Sequence, residues 1–73
     1  MKYLSTDSTI MGGELVIKGT RIPIDVILYR LKDGYSIERI HELYPTPSLK
    51  KLNGAIEEAI GLISSNVNGK DVV

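Results

Sequence analysis

Four polar residues, Ser48, Lys50, Lys51 and Asn53, crowd the stretch that follows Tyr44-Pro45-Thr46-Pro47. A lysine ammonium reaches phosphates or the acceptor edge of guanine, and an asparagine amide pairs bidentately with adenine. Leu49 and Leu52 turn inward at helical spacing, which leaves the four polar side chains on the outer start of a helix. Free N–H groups at such an end also favour phosphate. Two guanidinium groups join the set. Arg39 sits on the outer face of the preceding helix, and Arg21 lies in Gly19-Thr20-Arg21-Ile22-Pro23. The rigid fork of arginine suits a phosphate or a partner's carboxylate. The same lysines also read as a solvated helix face, and Thr20 and Arg21 as groups that satisfy nearby backbone or carboxylates.

Other chemistry finds little material. His41 is the only histidine, and it reads as a solvated side chain beside Glu42. Glu57 and Glu58 are adjacent on a helix, so their side chains diverge by about 100° and do not form a catalytic carboxylate pair. Tyr3, Tyr29, Tyr35 and Tyr44 are scattered and read as packing residues. There is no Ser/His/Asp pattern, phosphate loop or metal-ligand spacing, so neither an enzymatic role nor a cofactor is expected.

Three helices must position these groups. Pro23 suits a first helical position, where its missing N–H costs nothing. Asp25 favours the helix dipole, and Ile24, Ile27, Leu28 and Leu31 form one apolar stripe. Gly34 ends this helix. Ser36 caps a second, with Tyr35 and Ile40 placed as a hydrophobic staple and Ile37, Ile40, Leu43 and Tyr44 facing inward. Pro45 stops it, and Pro45–Pro47 make a turn with little freedom. Ser48 caps a third helix whose Leu49, Leu52, Ile56, Ile60 and Ile63 read as a single inner stripe. Gly54 inside it costs about 1 kcal/mol relative to alanine, and permits close approach of another helix. Before the helices, Ile10–Ile22 reads as extended, with a turn at Gly12-Gly13 and a β-prone Leu15-Val16-Ile17. Such a ribbon needs a partner: the Tyr3-Leu4 segment, the helices or a second chain. Residues 1–63 read as one domain and 64–73 as a frayed tail.

Composition bounds the partners. The chain has 73 residues, nine basic and nine acidic, and no cysteine. Zero net charge counts against nonspecific affinity for a polyanion. Residues 18–51, however, hold seven of the nine basic residues against four acidic ones. A chain this short buries only ~60% of its unfolded surface, so a homodimer is an expected source of stability. No apolar run approaches a membrane span, and the N-terminal stretch lacks the core of a signal peptide, so a cytoplasmic location is expected. The short helix, tight turn and capped third helix have the spacing of a helix-turn-helix, whose second helix presents its N-terminal residues to the major groove. Many small all-α domains share that helix pair, so an interaction module without nucleic acid is the other reading.

The strings Gly13-Glu14-Leu15-Val16-Ile17-Lys18-Gly19-Thr20-Arg21-Ile22-Pro23-Ile24, Ile27-Leu28, Leu31, Gly34-Tyr35-Ser36, Ile40, Tyr44-Pro45 and Ala55-Ile56 resemble the GTRIP-containing domain-of-unknown-function family DUF433, grouped with VapB-type antitoxins. The resemblance runs from about Ser8 to Ile60. It implies a mainly α fold, a three-helix homeodomain-like or winged helix-turn-helix behind a short β-ribbon, often shared between protomers. It also implies a transcription-regulating antitoxin that binds operator DNA and silences a PIN-like ribonuclease toxin. The chain departs from the family pattern in two ways. Pro47 replaces an apolar residue, and Lys50 and Lys51 stand where acidic residues are frequent. The tail after Ile63 is short for filling a toxin's acidic site, with Lys70 its only basic residue.

Overall fold

The computed structural model describes residues 1–6 and 13–66. Two short strands and three helices follow in order: β1 (Leu4–Thr6), β2 (Leu15–Ile17), α1 (Ile24–Lys32), α2 (Ile37–Leu43) and α3 (Leu49–Asn66). The architecture is small and mainly helical, with a two-stranded antiparallel sheet. The expected turn at Gly12-Gly13 falls partly outside the described residues, as do the last seven residues of the expected tail.

The ribbon's partner is the N-terminal segment. β1 and β2 pair antiparallel, with Leu4 opposite Ile17, Ser5 opposite Val16 and Thr6 opposite Leu15. Two strands alone are marginal in water. Here Leu4, Val16 and Ile17 are buried, and Leu4 and Ile17 join a core with Ile24, Ile27, Ile40, Leu52, Ala55 and Ala59. Beyond β2 the chain turns on Thr20. Its hydroxyl donates to the Ile17 carbonyl at 2.7 Å and accepts from the Ile22 amide at 3.0 Å, while the Ile17 amide donates to the Ile22 carbonyl at 2.9 Å. Gly19 takes φ +82 in this turn, a conformation that a β-carbon disfavours.

Pro23 caps α1 from extended backbone instead of beginning it, because it still pairs with Val16 in an isolated β-bridge. The other end of α1 closes as a Schellman motif around Gly34, which takes φ +95. The Gly34 amide donates to the Leu31 carbonyl and the Tyr35 amide to the Arg30 carbonyl, each at 3.0 Å. The Arg30 guanidinium lies 5.3 Å from the Tyr35 ring centroid and seals that junction. Ser36 caps α2 by accepting from the Arg39 amide at 3.1 Å. Tyr35 and Ile40 pack in one cluster, but Leu43 does not complete the inner face and is 41% exposed. Tyr44 ends α2, and Pro47 is buried in the turn to α3.

α3 departs most from its expected form. Its inner face is Leu52, Ala55 and Ala59, all buried, whereas Ile60 and Ile63 are each 54% exposed and Leu49 is also exposed. Ile56 lies on the border, packed against the core. Small alanines let the neighbouring helices approach closely, and the bulkier isoleucines are rotated outward. α3 also runs on through Asn66, past the expected end at residue 63. Among the described residues, no helix is long and apolar enough to cross a membrane.

Candidate nucleic-acid interface

α3 presents three faces, each built from positions that recur with the helical period of 3.6 residues. One faces α1 and α2 through Leu52, Ala55 and Ala59. A second faces the ribbon through Lys51, Gly54 and Glu58. The third, with Leu49, Asn53, Glu57, Ile60 and Ile63, is exposed.

The ribbon face has specific chemistry. The Glu58 carboxylate accepts three consecutive backbone amides, from Lys2 at 3.0 Å, Tyr3 at 2.7 Å and Leu4 at 3.1 Å. Charge-assisted bonds of this kind are about twice as strong as neutral ones. One turn earlier, the Tyr3 ring lies against the α-carbon of Gly54, where an added β-carbon would stand 2.7 Å from the ring's Cγ and closer still to its edge. The close approach that Gly54 permits is therefore that of an aromatic ring from the segment leading into β1, and no second helix occupies the space. Another turn earlier, the Lys51 ammonium lies over Gly19, 3.2 Å from where a β-carbon would stand.

This packing gathers basic groups from separate segments. Ser48 caps α3 by accepting the Lys51 amide at 3.1 Å. Lys50 and Asn53 are exposed on its first turns, and Lys51 is half-buried against the turn that carries Lys18 and Arg21, both exposed. Lys18 reaches back to donate from Nζ to the Met1 carbonyl at 3.0 Å, and Lys2 Nζ lies 5.4 Å from the Tyr3 ring centroid. Of the six residues singled out from sequence, Ser48, Lys50, Lys51 and Asn53 share one helix end, and Arg21 lies two residues from the glycine that Lys51 covers. Arg39 stands apart. Its Nη1 donates to the Glu42 carboxylate at 2.7 Å, in an exposed pair on α2 that contributes little to stability.

Sequence reasoning missed Lys2 and Lys18. Both become part of the basic surface only because β1 and β2 lie along α3; the excess of cations over residues 18–51 was a trace of Lys18, and nothing local marked Lys2. Glu58 is engaged by backbone amides, and Glu14 faces Asp25. Desolvation, then the Asp25 charge and hydrogen bond, raises the Glu14 pKa above the ordinary glutamate value. An open cleft of about 280 Å³ on α1, lined by Asp25, Leu28, Tyr29 and Lys32, contains none of the candidate residues. Among the described residues, no three His, Cys, Asp or Glu side chains gather as a metal site.

Residues 4–59 fit the family model described as "Protein of unknown function (DUF433)". No curated protein and no solved structure matches significantly. The matched span takes in β1, β2, α1, α2 and α3 as far as Ala59, including the Thr20 turn, both serine caps and Glu58 itself, and the chain therefore belongs to the DUF433 family.

Proposed function

We propose that the chain is a DNA-binding regulator of the antitoxin type, acting in the cytoplasm as a homodimer on operator DNA and on a PIN-like ribonuclease toxin. In this reading α2, the turn at Pro45–Pro47 and α3 are a helix-turn-helix of homeodomain-like or winged kind, and the β-ribbon flanks its recognition helix. The observation that carries it is the convergence of the Lys18–Arg21 turn on the capped start of α3. Lys50, Asn53 and Ser48 are the base-facing candidates, while Lys2, Lys18, Arg21 and Lys51 are phosphate candidates. A single copy neutralises few phosphates, so useful affinity requires two. The toxin half of the proposal rests on the family resemblance alone.

Gel retardation with the DNA immediately upstream of the chain's own gene tests the reading. Retardation is expected at low salt, and it is lost in Lys50→Glu/Lys51→Glu while the far-UV spectrum stays unchanged. Wild-type protein that leaves this DNA unshifted at low salt defeats the proposal. Failure to co-purify with the product of the neighbouring open reading frame removes the toxin half.

A second reading, a dimeric protein-interaction module without nucleic acid, is favoured by the exposed Leu49, Ile60 and Ile63 on α3. It expects the lysine double variant to capture its partner as well as wild type does.

A further inference from the structure

We infer that the exposed stripe of α3 is the surface through which two copies of this chain pair, antiparallel, crossing at Ile60. The inference deepens the regulator reading, from which it takes the expectation of two copies, and it identifies the face they use.

The stripe is shaped for self-recognition. Ile56, Ile60 and Ile63 recur at spacings of four and three, so they share one line along the helix. Ile60 and Ile63 are each 54% exposed although both are β-branched and apolar. A two-fold contact must be self-complementary, with the same patch on both partners. Turning a second α3 antiparallel about Ile60 sets each Ile56 level with the partner's Ser64, and each Ile63 level with the partner's Glu57. Ile56 and the partner's Ile63 then interleave, and the two Ile60 side chains meet on the axis.

Charge and apolar coverage together select this register. Glu57 is the acidic residue on the outer flank of the stripe, and Lys50 is on the same flank two turns earlier. A crossing at Ile56 would place the two Glu57 carboxylates side by side, and like charges in contact are unfavourable. A crossing near Asn53 would pair Lys50 with Glu57, but it would bury the Asn53 amide and leave Ile63 uncovered. Crossing at Ile60 covers all three isoleucines, moves the two Glu57 carboxylates apart and leaves Lys50 outside.

The spacing follows from helix geometry. Eleven residues separate Leu49 from Ile60, so at 1.5 Å per residue the two α3 starts lie about 33 Å apart. Half-sites one turn apart on DNA are separated by ~34 Å. The two-fold axis of an antiparallel pair is perpendicular to the plane of the two helices, so the flank bearing Lys50 points the same way in both copies. The contact covers about two helical turns from each copy, well short of the ~800 Å² per partner of a standard interface. The free dimer is accordingly weak and concentration-dependent, and two adjacent half-sites would strengthen it.

The chain has no cysteine, so single cysteines report the register without background. Ile60→Cys is expected to form a disulfide-linked dimer of twice 8.0 kDa on mild oxidation. Asn53→Cys, whose two copies would lie about 20 Å apart along the pair, is expected to stay unlinked. Wild type at sub-millimolar concentration is expected to show a rising mass in sedimentation equilibrium. Ile60→Glu/Ile63→Glu, two exposed changes, holds it at the monomer with an unchanged far-UV spectrum. Wild type that stays monomeric, Asn53→Cys linking as fast as Ile60→Cys, or the double glutamate variant remaining dimeric would each overturn the inference. These measurements use no DNA. A disulfide-linked Ile60→Cys dimer that fails to retard upstream DNA would defeat the regulator reading alone, and retardation by a strictly monomeric protein would defeat this inference and the homodimer of the regulator reading while leaving its DNA binding intact.

Discussion

Replacing Gly54 by alanine sets two effects of opposite sign against each other. Mid-helix glycine is less favourable than alanine by about 1 kcal/mol, so propensity alone makes the substitution stabilising. The structure reverses the sign. The new methyl would stand inside the Tyr3 ring, 2.7 Å from Cγ. Cγ is near the root of the side chain, so the ring escapes only if its backbone moves too. That backbone is held, because the Tyr3 amide donates to Glu58 at 2.7 Å and its carbonyl accepts from the Lys18 amide at 2.9 Å. Overpacking of this kind costs about 1–3 kcal/mol, and loosening the Glu58 clamp adds to it. The expected net is a loss of about 1–2 kcal/mol, a fall in Tm of at least ~5 °C for a domain of this size. Gly61 supplies the control on the same helix, since a β-carbon there would meet nothing within 4 Å. Gly61→Ala should raise stability by up to ~1 kcal/mol. Thermal unfolding of both variants decides the matter. If Gly54→Ala stabilises as much as Gly61→Ala does, Tyr3 is not wedged against the helix and the ribbon face has been misassigned. Tyr3→Ala in the Gly54→Ala background should restore part of the loss.

Three further outcomes are expected. Glu58→Ala leaves three amides without their acceptor and should cost about 1–2 kcal/mol in urea unfolding, with faster amide exchange at Leu4; Glu58→Gln, which keeps one carbonyl oxygen, should cost less. Thr20→Val keeps the shape but removes both hydroxyl bonds of the turn, for a loss of about 1–2 kcal/mol, whereas Thr20→Ser should stay near wild type. Because the Glu14 pKa is raised in the folded chain, the stability it contributes is fully present below its unfolded pKa and is lost as pH rises through the folded one. Asp25→Asn should lower that pKa in an NMR titration, and an unchanged curve would show that Asp25 is not its neighbour.

Local signals were the most legible part of the chain. Ser36, Ser48 and Gly34 act where they stand, because a cap or a positive-φ closure is decided by residues within one turn. The candidate cations at the start of α3 follow from its cap. The faces of α3 were not legible in this way. Leu49, Leu52, Ile56, Ile60 and Ile63 fit one stripe by period, but period alone cannot say that Ala55 and Ala59 form the side other helices press upon. The large apolar residues carry the periodic signal, and the small ones make the contact. Tyr3, Gly54 and Glu58 lie too far apart in sequence for any local rule to join them. Glu58 is half of an idle carboxylate pair by sequence alone, and only the segment entering β1 supplies its amides.

The Glu58 clamp also orders events during synthesis. Its three bonds span 54 to 56 residues of chain, so the segment that enters β1 is held to the rest of the ribbon but lacks this helical anchor until α3 has emerged behind it. Chains grow at about 5–20 residues per second, so the ribbon waits for seconds with its edge bare. A nascent chain stalled before position 58 would carry two helices and an unsecured hairpin, the form in which proteases and chaperones would meet it.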